Sequence, residues 1–465
     1  MSHGYDYDLL CIGSGPAGQR AAIQAAKLTK RAAIVERGHV IGGVCVDTGT
    51  IPSKTFREAV LSLNGRAFPD SRQTQLRSMI RPTAHELLAR VEEVEQRQAD
   101  IIADQLRRND VTVFNGEASF KDAHTVVVLS AQGSVVVTAA HILIAVGTTP
   151  AAPPGVSPMP GLVATSDDLL QLTSLPRRLA VVGAGVIGIE YASMFAALGT
   201  DVTVIDKRDR PLEFLDREIV DELLSQMRNA EVAFRLGEAV ERLEIDEKLP
   251  QRVVMFLESG KRLVSELVLF CAGRQGATAR LNLPAAGLKA DDRGRLSVDQ
   301  EYRTSVPHIF AAGDVIGYPS LATTSAEQGR LAACYAFGVA ARPMMHFPIG
   351  IYSVPEISMV GETEHELTGR KVPYETGTAR YREIARGHIL GDDSGLLKML
   401  FHREDHRLLG VHVIGTGATE LIHIGQAVLG LGGGLDYFLT TAFNYPTLAE
   451  CYKVAALDAY NKLNA

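Results

Sequence analysis

Tyr7-Asp8-Leu9-Leu10-Cys11-Ile12-Gly13-Ser14-Gly15-Pro16-Ala17-Gly18 is the stretch that decides the fold. Its first half is a short apolar run that reads as a buried strand. Its second half is Gly-x-Gly-x-x-Gly, and it opens an alanine-rich segment, Arg20 to Leu28, that reads as a helix. In that context each glycine has a task. Gly13 permits the tight turn, Gly15 lets backbone approach a pyrophosphate, and Gly18 lets helix and strand pack closely, while the helix N-terminus supplies partial positive charge. The next apolar run, Ala32-Ala33-Ile34-Val35-Glu36, ends in an acid placed to bond a ribose diol.

The pattern then repeats. Arg178 to Val182 reads as a strand, Gly183-Ala184-Gly185-Val186-Ile187-Gly188 as the turn, and Asp201 to Asp206 as a second strand ending in an acid. Gly13 to Glu36 and Gly183 to Asp206 both span 23 residues (36 − 13 and 206 − 183). Matching internal spacing in two copies predicts two dinucleotide sites in one chain.

Further segments complete the first module. Ile142 to Gly147 is an apolar strand ending in glycine, and Ile309 to Asp314 is another, ending in an acid suited to a polyol chain. Thr323, Thr324 and Ser325 read as polar caps ahead of a helix from Ala326 to Phe337. Pro150 to Gly155 is a Pro-rich break, Cys271-Ala272-Gly273-Arg274 a return point, and Arg342 to Pro348 a second break. The expected organisation is α/β: two Rossmann-like dinucleotide-binding domains, one discontinuous (1–150 and 277–345) and one continuous (151–276), followed by an α+β domain over 346–465. In that last part Gly395 to Phe401 and Arg407 to Gly415 read as a hairpin, and Thr419 to Leu431 as a helix.

Composition narrows the function classes. The 465 residues suffice for about three domains. A formal charge of −7 without a basic run argues against nucleic acid as the main partner. No apolar stretch approaches the ~18 residues of a membrane span, and Met1 to Asp8 has neither the basic nor the apolar part of a signal peptide, so a cytoplasmic location is expected. The five cysteines, Cys11, Cys45, Cys271, Cys334 and Cys451, form no Cys-x-x-Cys pair, so neither a zinc site nor a disulfide framework is expected. Cys11 and Cys271, in apolar runs, read as small buried hydrophobes.

The order of these motifs resembles, over essentially the whole chain, the pyridine nucleotide-disulfide oxidoreductases. The resemblance implies one FAD per chain, NAD and NADP as substrates, and a homodimer built through the C-terminal domain. It also exposes two departures. Members of the family carry Gly-Gly-x-Cys-x-x-x-Gly-Cys-x-Pro-Ser-Lys, and here Gly42 to Lys54 keeps Cys45 but has Thr50 at the second cysteine. They also carry His-x-His-Pro-Thr ahead of a Glu, and here Phe443 and Tyr445 stand at the histidine positions ahead of Glu450. A hydroxyl cannot form a disulfide, and a phenol, titrating near pH ~10, is a poor acid/base for thiols. Both losses resemble the branch of the family that transhydrogenates.

That branch moves hydride between NADPH and NAD+ through the flavin, in a ping-pong sequence and without a redox disulfide. By the same resemblance, Lys54 lies at the flavin edge and pairs with Glu190, these two being the expected catalytic residues. Gly13, Gly15, Gly18, Glu36, Cys45, Thr50, Gly147, Gly273 and Asp314 are expected around the flavin, and Gly183, Gly185, Gly188, Asp206, Lys207 and Arg208 around the exchanging nucleotide. Asp206 suits two ribose hydroxyls and Arg208 a 2′-phosphate, a combination suited to both nucleotides. The alternatives are an NAD(P)H-dependent flavin reductase or oxidase acting on a quinone or other small acceptor, and a catalytically silent flavin-binding homologue.

Overall fold

In the computed structural model, residues 4–63, 83–151, 159–248 and 251–464 are described. They fall into two compact units, one within Met1–Phe56, Leu87–Ala151 and Gly273–Met344, the other within Arg57–Glu86, Ala152–Ala272 and Met345–Ala465.

The first unit is organised by the strand Tyr7–Ile12. It pairs in parallel with Ala32–Glu36 on one side and with the end of Gly133–Ile144 on the other. Thr112–Asn115 extends the sheet beyond Ala32–Glu36, and Ile309–Ala311 extends it beyond Gly133–Ile144. Connections leave Tyr7–Ile12 toward opposite edges, so a crevice opens at its carboxyl end, where Gly13 turns the chain into the helix Pro16–Lys27. The strands are buried on both faces, which is why they read as unbroken apolar runs. Gly133–Ile144 serves two sheets, its N-terminal part pairing antiparallel with Thr125–Ser130. The helix Ala322–Ala336 packs on Pro16–Lys27 through small residues: a Cβ at Gly329 would overlap the Ala17 carbonyl. This helix starts earlier than expected. Thr323, Thr324 and Ser325 lie inside its first turn, because the Thr324 hydroxyl bonds back to the carbonyls of Pro319 and Leu321 and lets the helix begin at Ala322.

The second unit repeats the pattern. Ala233–Leu236, Asp201–Asp206, Arg178–Val182, Leu267–Phe270 and Val163–Thr165 form a parallel sheet in that order. The three strands Val240–Asp246, Arg252–Leu257 and Arg262–Ser265 add an antiparallel sheet. A five-stranded antiparallel sheet follows, Ile349–Ile351, Ile357–Gly361, Leu408–Ile414, Leu396–His402 and Tyr374–Arg380 in spatial order. The expected hairpin is its core, and helices Ala418–Gly430 and Glu450–Leu463 contribute to its hydrophobic cluster. The fold is α/β as read from the sequence. Most of the Pro-rich break expected at 150–155 lies outside the described residues. Among the described residues no helix is long and apolar enough to cross a membrane.

Candidate functional site

The two glycine turns are built alike, atom for atom. A Cβ on Gly13 would overlap the Ala145 carbonyl and one on Gly18 the Gly13 carbonyl; in the second copy Gly183 stands against Cys271 and Gly188 against the Gly183 carbonyl. Nothing lies within 4 Å of a Cβ built on Gly15 or Gly185. The first and third glycines are thus required by the protein's own packing, and the middle one faces open space at a helix N-terminus, the cradle a pyrophosphate requires. The acids close each turn in the same way. Glu36 Oε2 accepts the Ser14 backbone N–H at 2.9 Å and its hydroxyl at 2.5 Å, while Oε1 accepts the Gly38 N–H at 2.6 Å. Asp206 Oδ2 accepts the Ala184 N–H at 2.6 Å and Oδ1 the Arg208 N–H at 2.9 Å.

Around the first cradle the structure gathers the expected residues on one unit. Gly43 approaches Gly15 so closely that a Cβ on it would touch backbone. It leads into the short helix Val44–Asp47, which carries Cys45; the expectation had Cys45 in the loop ahead of a helix. Thr50 opens the next helix, Thr50–Leu63, and its side chain hydrogen-bonds Cys45. The hydroxyl that replaces the second sulfur is therefore held against the first. Burial pushes the Cys45 thiol above its ordinary pKa, the Asp314 charge acting in the same direction and the Thr50 bond and Lys54 opposing. Such a thiol is protonated at neutral pH and a poor nucleophile. Lys54 follows one turn along that helix, its ammonium 3.2 Å from the Ser53 hydroxyl.

Asp314 comes from the turn after Ile309–Ala311. Burial raises its carboxyl pKa, with Arg274 and the Ser325 hydroxyl opposing. Arg274 is itself fixed by bonds to Thr148, from Nε to Oγ1 at 2.9 Å and from its terminal amine to the carbonyl at 3.0 Å. The short pair Thr148–Pro150 and Arg274–Gly276 thus ties Gly147 and Gly273 together at the ends of two strands. Cys271 is only partly buried, because it sits at the mouth of the second turn and its carbonyl packs on Gly183.

In the second unit Glu190 is buried on the helix Val186–Ala197, where Oε1 accepts the Tyr352 N–H at 2.8 Å. Lys207 is exposed. Arg208 folds back on Asp206, Nε to Oδ1 at 3.0 Å and the terminal amine to Oδ2 at 2.7 Å. Burial alone would raise the Asp206 pKa, but these bonds and the two backbone N–H donors hold it below the ordinary value. The bidentate closure of Arg208 was not legible in the charge run Asp206 to Arg210. Farther along, Phe443 packs in the hydrophobic cluster beside Tyr452, Tyr445 is exposed, and Glu450 begins the last helix.

Two dinucleotide cradles on one chain define the class: a protein built around two nucleotide-binding folds. Residues 7–329 match the model of the pyridine nucleotide-disulphide oxidoreductases and 347–456 that of their dimerisation domain. The chain belongs to this family. It is 52% identical over 99% of its length to the soluble pyridine nucleotide transhydrogenase of Mycobacterium tuberculosis, of which 98% is covered. It is 44% identical to the enzyme of that name from Colwellia psychrerythraea, with 100% of both chains covered. Among solved structures it is similar to the HOCl-induced flavoprotein disulfide reductase RclA from Escherichia coli, with a TM-score of 0.86 at 28% identity over 97% of this chain and 99% of that one.

Proposed function

We propose that this protein is a soluble, Si-specific NAD(P)+ transhydrogenase, transferring hydride between NADPH and NAD+ with FAD as its resident cofactor. The observation that carries the reading is the Thr50 hydroxyl bonded to Cys45 beside two intact dinucleotide cradles. A chain that keeps both cradles and cannot close the disulfide retains nucleotide-to-nucleotide transfer and loses disulfide chemistry. Bound FAD would supply a two-electron hydride acceptor and donor, the chemistry that no side chain here provides.

The chain's own residues account for holding and orienting. The N–H groups that begin Pro16–Lys27 face a pyrophosphate over Gly15, and Glu36 keeps one of about four acceptor positions open for a ribose hydroxyl. Asp314 serves the ribityl chain, Gly147 and Gly273 the turns beside it, and the packed Cys45–Thr50 pair the face of the site. Lys54 contributes positive charge that favours the reduced, anionic ring, and Glu190 borders the nicotinamide. Gly183, Gly185, Gly188, Asp206, Lys207 and Arg208 hold the exchanging nucleotide. The proposal includes a division into domains at 1–150 with 277–345, 151–276 and 346–465, a homodimer formed through the last, and a cytoplasmic location.

A flavin reductase or oxidase passing electrons to quinones is not favoured, given that the relatives are named as transhydrogenases. The test is purified protein with NADPH and a chromogenic NAD+ analogue, beside lipoamide, glutathione disulfide and a quinone. Reduction of the analogue faster than of the other three is expected; a preference for any of those three sinks the reading.

A further inference from the structure

The two cradles differ at one position. Two residues beyond the acid, the first module has Gly38 and the second Arg208. In both, the N–H of that residue bonds the acid it follows. Gly38 adds nothing more, and Glu36 accepts three hydrogen bonds. Arg208 adds a guanidinium that takes one further position on each Asp206 oxygen, so Asp206 accepts four. A carboxylate has about four acceptor positions, so Asp206 is saturated.

A ribose diol donates to this acid through its 2′- and 3′-hydroxyls. On Asp206 it finds no open acceptor unless the guanidinium leaves. A 2′-phosphate has no hydroxyl to donate at that carbon and matches the guanidinium fork, which binds phosphate as it binds carboxylate. The pair can open, because the Arg208 side chain is 40% exposed while that of Asp206 is 5% exposed. Ion pairs with one half in water contribute little stability, roughly 0–1 kcal/mol. The acid would stay in place when the guanidinium departs, held by the Ala184 and Arg208 N–H groups.

Resting on the transhydrogenase reading, we infer that the Arg208 guanidinium is a displaceable cover over Asp206, removed when a nucleotide with a free ribose diol binds and transferred to the 2′-phosphate when NADP(H) binds. One ion pair then reads both nucleotides in turn, and the two acceptor chemistries are never presented together.

The test uses the intact holoenzyme and two ligands without a nicotinamide, ADP-ribose and ADP-ribose 2′-phosphate, titrated by calorimetry so that hydride transfer is not required. Arg208→Gly copies the first module, and Arg208→Gln keeps the side-chain stem should glycine disturb the turn. Uncovering Asp206 should tighten ADP-ribose by about threefold or more, and losing the fork should weaken the 2′-phosphate by about tenfold or more. Asp206→Asn, which keeps the shape and an acceptor for Ala184, should do the reverse: ADP-ribose weaker, the 2′-phosphate tighter. A fixed phosphate contact would leave ADP-ribose untouched. If neither Arg208 variant tightens ADP-ribose, the cover is overturned while the function stands. Wild-type protein that binds neither ligand would overturn the nucleotide site itself and the function with it.

Discussion

The Lys398 ammonium lies 2.9 Å from the Asp216 carboxylate, and the two side chains are 0% and 1% exposed. Lys398 sits in the middle of the strand Leu396–His402, and Asp216 caps the helix Arg217–Asn229 by accepting the Glu218 N–H. Glu218 and Glu364 also pair with the same ammonium. These three acids form a group with the spacing of a cation site, and the lysine already supplies the cation. Burial of Lys398 is opposed and outweighed by Asp216 and its companions, so its pKa is raised.

Lys398→Met should therefore destabilise the protein by about 3–5 kcal/mol, because Asp216 stays buried without its partner. The double variant Asp216→Leu with Lys398→Met should recover a large part of that loss. Equilibrium urea unfolding measures both. A Lys398→Met midpoint equal to that of the wild type would show that the pair is dispensable.

The same cluster sets an acid limit. Burial disfavours the Asp216 carboxylate, but His412, Lys398 and the hydrogen bonds hold its pKa below the ordinary value. The fully buried His412 is shifted down by burial, with Asp216 opposing. Both are depressed in the folded state, so both contributions are present above the unfolded pKa values, about 6.5 for His and 3.9 for Asp, and both are lost as pH falls through the folded ones. Unfolding free energy should decline from pH 6.5 downward and fall more steeply below about 4. In His412→Gln the upper part of that decline should shrink; an unchanged profile would remove His412 from the account.

Cys45→Ser should keep most transhydrogenase turnover, within about threefold of wild type, since a protonated thiol with a hydroxyl for neighbour has no redox partner. Alkylation of Cys45 at pH 7 should be slow for the same reason. Loss of more than nine-tenths of turnover in Cys45→Ser would assign the sulfur a part in the reaction.

The two cradles should fail separately. Gly18→Ala forces a methyl into the Gly13 carbonyl and should lower the flavin content of purified protein. Gly188→Ala does the same at the Gly183 carbonyl and should leave the yellow colour while weakening NAD(P)H binding tenfold or more. Visible absorbance and nucleotide titration read the two effects, and equal loss of flavin in both variants would contradict the assignment.

Steady-state kinetics should show donor and acceptor taking turns. Initial-rate plots at several fixed NAD+ concentrations should be parallel, with each nucleotide inhibiting competitively when in excess. Intersecting lines would require both nucleotides bound at once.

The local code was legible in the sequence. The strands Tyr7–Ile12, Ala32–Glu36, Arg178–Val182 and Asp201–Asp206 lie where the residues put them, because a glycine turn tolerates no other residue between its own carbonyls and so marks the strand ends within a few residues of chain. The replacement of a sulfur by Thr50 was equally plain. What the hydroxyl and the charges do there was decided only by the fold. Thr50 bonding Cys45 and Arg208 saturating Asp206 depend on side-chain directions that spacing does not specify. Lys398 reads in sequence as one polar residue in an apolar strand, and the acid that neutralises it lies 182 positions away. Backbone geometry is set by neighbours along the chain, whereas a buried charge is set by whatever the tertiary structure brings beside it.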